Sequence, residues 1–182
     1  KEANYYSEEV RRIITKKYGF NKLYAGGLTI RTPLDPKYQI EILQALREGL
    51  ESYDRRHGWR GVIANKANDN NWIEKIDEYK IDRSLNWKIA KVLNVEDLLV
   101  KIETEDEEMG IIKFSNVHWI RKENFKEILK EGDIIYVKKI NKQYWDLKQV
   151  PKINGAVTVM DPFTGRVLAM VGGFSFELSE FN

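Results

Sequence analysis

WKIAKVLNVEDLLVKIETEDEEMGIIKF (87–114) and, a little further on, DIIYVKKINKQYWDLKQV (133–150) hold the strongest pattern in the chain. Apolar and polar residues alternate through short runs rich in Ile, Val, Trp and Tyr, the period of a half-buried strand. The runs predict strands at Trp87–Val95, Leu98–Thr104, Gly110–Phe114, Asp133–Ile140 and Tyr144–Val150. The charged turn Glu105–Glu108 separates the second from the third, a helical turn at Asn124–Leu129 the third from the fourth, and Asn141-Lys142-Gln143 makes a tight turn before the fifth.

Five strands with a helical insert between the third and fourth is the layout of an OB (oligonucleotide/oligosaccharide-binding) barrel. Trp87, Phe114, Trp119, Tyr136 and Trp145 are expected to fill its small interior or rim. On the N-terminal side, loop composition takes over from Asn65 to Asn71, and a helical turn is expected around Trp72–Ile76.

Two other segments flank this region. Near the N-terminus, Tyr6, Val10, Ile13 and Ile14 recur at helical spacing between Tyr5 and Tyr18, with Ser7 as a possible cap and Gly19 after a basic last turn. Leu28–Thr32 then alternates like a strand. Asp35 as N-cap and Pro36 in the first turn open a helix to Tyr53, with Ile40, Leu43, Leu46, Leu50 and Tyr53 as its apolar stripe and Glu41, Arg47, Glu48 and Glu51 toward water; Gly58 is its stop. At the other flank, Val157–Met160, the turn Asp161–Gly165 and Val167–Val171 read as a hairpin. Val167–Val171 is apolar on both faces, so it is expected inside a sheet, paired with Leu28–Thr32 and covered by the 36–53 helix. The expected fold is α+β, mainly β, with a five-stranded OB-like barrel inserted into a small sheet-plus-helix unit.

The 182 residues include 30 basic and 28 acidic side chains, a formal charge of +2 that sets up no field able to draw in nucleic acid or an anionic membrane. The absence of cysteine removes disulfides, thiolate nucleophiles and Cys-built metal sites, and leaves the compartment open. No run approaches the ~18–20 apolar residues of a membrane-spanning helix, and the first residues do not resemble a signal peptide. With no initiator Met, the chain reads as an excerpt of something longer.

Candidate chemistry is sparse. His57, among Arg55, Arg56 and Gly58, is expected to satisfy the last carbonyls of the 36–53 helix. His118 has no second ligand nearby, and Glu103–Glu108 lacks the spacing and central Gly of a calcium loop and is expected to be a solvated turn. Gly26-Gly27 and Gly172-Gly173 lack the context of a phosphate cradle and mark strand ends. Trp119 beside Arg121 and Lys122, or Tyr144-Trp145 beside Lys142, are the positions where a ring might stack on a polymer, but the carboxylates interleaved with the lysines cancel the field that nucleic-acid backbone binding requires. No catalytic, metal or cofactor residue is assigned; ligand-binding residues stay open.

The flanks carry a resemblance. GAVTVMDPFTGRVLAMVGGFSFELSEFN (155–182) resembles the opening hairpin of the penicillin-binding transpeptidase domain, down to a closing F-N pair. LYAGGLTIRTPLDPKYQIEILQALREGLESYDRRHGWRG (23–61) is similar to the linker between glycosyltransferase and transpeptidase domains in class A penicillin-binding proteins, with an R-H-G-W-R-G signature. WIEKIDEY (72–79) and GDIIYV (132–137) match, more loosely, the OB-like domain inserted in the Gram-negative, 1A-like members. One departure is Thr32-Pro33, where the linker usually carries two Thr.

The resemblance implies a linker at 1–61, an OB-like domain at 62–152 and a truncated transpeptidase hairpin at 153–182. It also implies a bifunctional peptidoglycan synthase on the periplasmic side of the inner membrane. The S-x-x-K, S-x-N and K-T-G motifs are expected beyond Asn182 and the glycosyltransferase glutamates before Lys1, leaving this stretch non-catalytic. The barrel is then a spacer or a docking module for peptidoglycan or a periplasmic or outer-membrane regulator, with no nucleic acid and no cofactor. The alternative is a free-standing OB-type protein binding nucleic acid or oligosaccharide.

Overall fold

The computed structural model describes residues 3–67, 71–79 and 81–178. The expected F-N pair at Phe181-Asn182 and the middle of the polar loop, 68–70, lie outside them. The chain divides into two units, one of Lys1–Glu51 with Ile153–Asn182, the other of Ser52–Lys152. Because the first is built from segments on both sides of the second, the barrel is an insertion in the chain.

The inserted unit contains β1 (Ala64–Asn65), β2 (Trp87–Val95), β3 (Leu99–Thr104), β4 (Met109–Lys113), β5 (Asp133–Lys139) and β6 (Tyr144–Lys148). All five expected strands are present, with ends displaced by one or two residues. β2 pairs antiparallel with both β3 and β5, β3 with β4, and β5 with β6, while β4 and β6 run parallel. These pairings close a five-stranded ring. The unexpected β1 extends it by pairing Ala64 with Ile134 at the start of β5, ahead of the stretch that β6 covers. In β2 the register slips between Val92 and Asn94, a bulge that bends the strand as a small barrel requires.

Alternation along the strands points Val92, Val100, Ile102, Ile112, Ile135, Val137, Trp145 and Leu147 inward, all fully buried. Phe114, Val117, Ile120, Phe125 and Leu129, from the connection between β4 and β5, close the core. The Trp145 indole lies against Gly110, where a Cβ would come within 2.2 Å of Trp145 Cδ1, so only glycine admits the ring. At Gly132 a positive φ and the close Ala67 backbone make the same demand.

The 3-10 turn at Trp72–Glu78 forms an outer layer in which Trp72 packs with Ile89 of β2 and Ile134 of β5. These two strands are therefore apolar on both faces. Of the aromatics expected in the interior or rim, Phe114 and Trp145 are in the core and Trp119 packs at its margin. Trp87 and Tyr136 are instead on the outer face: Trp87 shares a face with Ile89, and its ring lies 6.1 Å from that of Tyr136.

The first unit holds α1 (Asn4–Tyr18), α2 (Phe20–Ala25), α3 (Pro36–Arg55) as far as Glu51, β7 (Val157–Met160) and β8 (Val167–Val171); the last turn of α3 belongs to the inserted unit. α1 begins at Asn4, so Ser7 is not its cap; its backbone N–H donates to Ala3 O. Tertiary contacts of Tyr5 and Tyr6 set this earlier start: the Tyr6 hydroxyl donates to Val167 O at 2.9 Å, and the Tyr5 ring meets Phe176 edge-on. α1 ends at Gly19, as expected, and α2 was not foreseen.

Asp35 caps α3 by accepting from Lys37 and Tyr38 N–H. The middle of the expected stripe of α3 turns inward, with Leu50 buried and Leu43 and Leu46 half-buried, while its two ends, Ile40 and Tyr53, are exposed and Gln39 is buried beside Ile40. Arg47 does not simply face water, since its Nε donates to Phe174 O. The burial of Gln39 is explained by β8. Strand β8 pairs with β7 along one edge and presents unpaired backbone groups along the other. Leu168 O accepts from Asp35 N–H, while the Gln39 amide accepts from Met170 N–H and donates to Met170 O. One glutamine thus replaces a strand, which is why a polar side chain is buried. Leu28–Thr32 makes no ladder and does not pair with the hairpin; the edge it was expected to occupy is taken by Asp35 and Gln39. Among the described residues β8 has only β7 as a strand neighbour.

Candidate functional site

Asp54 and the R-H-G-W-R-G signature, Arg56–Gly61, build a polar latch inside the inserted unit. Asp54, nearly buried, accepts from Arg60 Nη1 at 2.8 Å and the Lys152 N–H at 3.1 Å through Oδ1, and from Gln149 Nε2 at 2.9 Å through Oδ2. Gln149 Nε2 also donates to Gly58 O, and Arg60 Nη2 to Val150 O at 2.7 Å. Beside it Arg55 donates to Asp146 Oδ2 at 3.0 Å and lies over the Trp119 ring, which meets Trp59 edge-on. The entry and exit of the barrel are thereby tied together by charge-assisted bonds. This arrangement holds a chain in place; it presents no nucleophile or base to a substrate.

His57 is exposed and stacks near Tyr53 at 5.0 Å. The carbonyls of Tyr53, Asp54 and Arg55 accept from backbone N–H groups of Arg56, His57 and Gly58, so the expected capping by the His57 side chain is not seen. His118 is exposed and edge-on to Phe114. The described residues contain no group of three His, Asp or Glu able to hold a metal ion.

The acidic turn is more than a solvated loop. Asp106 pairs with Lys88 at 2.6 Å, Glu108 bridges Lys88 and Lys139, Glu105 pairs with Arg83, and Glu103 accepts from Trp72 Nε1. The Lys139 hydrogen bond holds the Glu108 carboxyl below its ordinary pKa, and the bond to Asp106 raises that of Lys88. Both ammonium groups also lie over the Trp145 ring, at 5.5 and 5.4 Å. Trp145 is therefore core, closed to stacking on a polymer, and Lys122 is engaged by Glu127.

In the first unit, a cavity of about 860 Å³ is lined by residues including Tyr5, Glu8, Glu9, Arg12 and Met170. Glu8 pairs with Arg11 and Glu9 with Arg12, so its charges are spent on neighbours in α1.

What remains uncovered on the barrel is the outer face of β3, β4 and the start of β6. Leu99 stands opposite Lys113, Lys101 opposite Ile111, Glu103 opposite Met109, and Ile111 beside Tyr144. Lys113 Nζ sits 3.8 Å above the Tyr144 ring. Lys101, Met109, Gly110, Ile111 and Gln143 line an open depression of about 280 Å³. OB barrels bind polymers on this pair of strands. The alternation of β3 and β4 was legible in sequence, but nothing in it said that this face, and not that of β2 and β5, would be left bare.

Residues 59–153 match the family described as the penicillin-binding protein OB-like domain. The chain belongs to that family. Penicillin-binding protein 1A of Rickettsia typhi is 42% identical over 184 residues, covering 99% of this chain and 23% of the relative. Penicillin-binding protein 1A of Escherichia coli K12 is 30% identical over 198 residues, with the same coverage of 99% and 23%. The crystal structure of penicillin-binding protein 1A from Haemophilus influenzae superposes with a TM-score of 0.81 at 30% identity, over 99% of this chain and 27% of that one. This penicillin-binding protein OB-like domain and its flanks thus span about a quarter of the length of these relatives.

Proposed function

We infer that the chain is a non-catalytic portion of a bifunctional peptidoglycan synthase, and that its barrel is a spacer or docking module for a regulator or for glycan. The observation that carries this reading is the likeness to penicillin-binding protein 1A along 99% of the chain, flanks included. In this reading, 1–61 links a glycosyltransferase to a transpeptidase, 62–152 is the OB-like domain and 153–182 opens the transpeptidase. The parent is anchored in the inner membrane and works on its periplasmic side; no helix among the described residues is long and apolar enough to cross a membrane. The Asp54–Arg60–Gln149 latch supports a structural role for the signature that precedes the barrel, because its carboxylate and guanidinium are engaged with each other and with neighbouring groups.

Reading the gene beyond codon 182 tests the assignment. A serine followed three residues later by lysine, then the S-x-N and K-T-G motifs, is the expected result. A frame that closes without them removes the synthase reading in favour of a free-standing binding protein.

A further inference from the structure

The outer face of β3, β4 and β6 combines two features. It is bare: Met109 is 58% exposed and Leu99 37%, next to half-buried Ile111, whereas the equivalent face of β2 and β5 lies under Trp72. Its cations are also unspent. Elsewhere on the barrel Lys88, Lys122, Lys126, Lys139 and Lys148 each lie within 4 Å of a carboxylate, whereas Arg121, Lys130 and Lys138 are scattered cations without an ion pair among the described residues and without such an apolar centre beside them. Lys101, Lys113 and, in the adjoining turn, Lys142 have no ion pair among the described residues, although Lys113 rests on Tyr144. The face's acidic member, Glu103, is held at its margin by Trp72.

Resting on the docking reading above, we propose that this face receives an acidic segment of a partner protein, with apolar side chains seated among Leu99, Met109 and Ile111 and carboxylates meeting Lys101, Lys113 and Lys142. Charge complementarity selects the occupant: Lys101 and Lys113 beside the apolar residues, with Lys142 in the adjoining turn, are without an ion pair among the described residues and match carboxylates flanking an apolar anchor. Glycan fits less well, because the Tyr144 ring, the aromatic platform on this face, is already capped by Lys113. A protruding methionine suits an adaptable protein contact.

The test is a titration of the isotope-labelled 182-residue chain, followed by amide chemical shifts. The probes are a short peptide of Glu-Glu-Leu-Phe repeats, its Lys-Lys-Leu-Phe counterpart, soluble muropeptides, and vesicles containing phosphatidylglycerol. The proposal expects the acidic peptide to shift residues 99–113 and 143–144, high salt to weaken it, and the Lys101→Glu/Lys142→Glu double variant to bind roughly tenfold more weakly. Lys101→Gln/Lys142→Gln, with weakening in the same direction, serves if the charge reversal fails to fold. Equal binding of the basic peptide, or no shift on this face with the acidic one, overturns the proposal. If muropeptides alone shift this face, the acidic occupant is wrong while a docking module for glycan stands; vesicles alone would refute the protein partner; silence from every probe on the whole barrel would sink the docking reading as well.

Discussion

Asp54 shows how much of this molecule rests on single polar groups. Its two oxygens take three donors from the two ends of the inserted unit, and removing the carboxylate leaves the Arg60 guanidinium, the Gln149 amide and the Lys152 N–H without that acceptor. Asp54→Ala should therefore cost about 2–3 kcal/mol, the range for hydrogen bonds to a buried charge, seen as a lower midpoint in urea with Trp fluorescence as the probe. Glu108 makes a pH-dependent statement. Its folded pKa is depressed by Lys139, so its contribution is fully present above the ordinary value of 4.5 and is lost as pH falls through the lower folded value. Melting curves between neutral and acid pH should show Glu108→Gln losing stability against the parent at neutral pH, with the gap closing in acid; a gap that widens in acid would contradict the assignment.

The strands of the barrel were legible because their period is local: Leu99–Thr104 and Asp133–Lys139 announce their faces residue by residue. What was not legible depends on distant partners. Nothing near Gln39 says that its amide will stand in for a strand on β8 and be buried while the neighbouring Ile40 is exposed. The outer-face place of Trp87 and Tyr136, expected in the interior or rim, was hidden because an outer layer made from a 3-10 turn leaves no period to read. The same reasoning hid the candidate docking face, whose bareness is set by where Trp72 lands. Trp72→Ala should remove the cover from Ile89 and Ile134 at a cost of about 3–5 kcal/mol, measured by thermal melting, and hydrogen exchange should rise along the outer layer and β5 first.

At the level of the whole chain, a barrel of the penicillin-binding protein OB-like family is inserted between two flanks that are similar to penicillin-binding protein 1A along with it. In the proposed reading, reaction belongs to the rest of the gene product, and positioning and contact to this stretch. Stoichiometry of labelling by a fluorescent penicillin separates the two. The complete gene product should be labelled covalently at one site, and the 182-residue chain, folded and at the same concentration, should not be labelled at all. Labelling of the chain itself, or none of the complete product, would contradict the account.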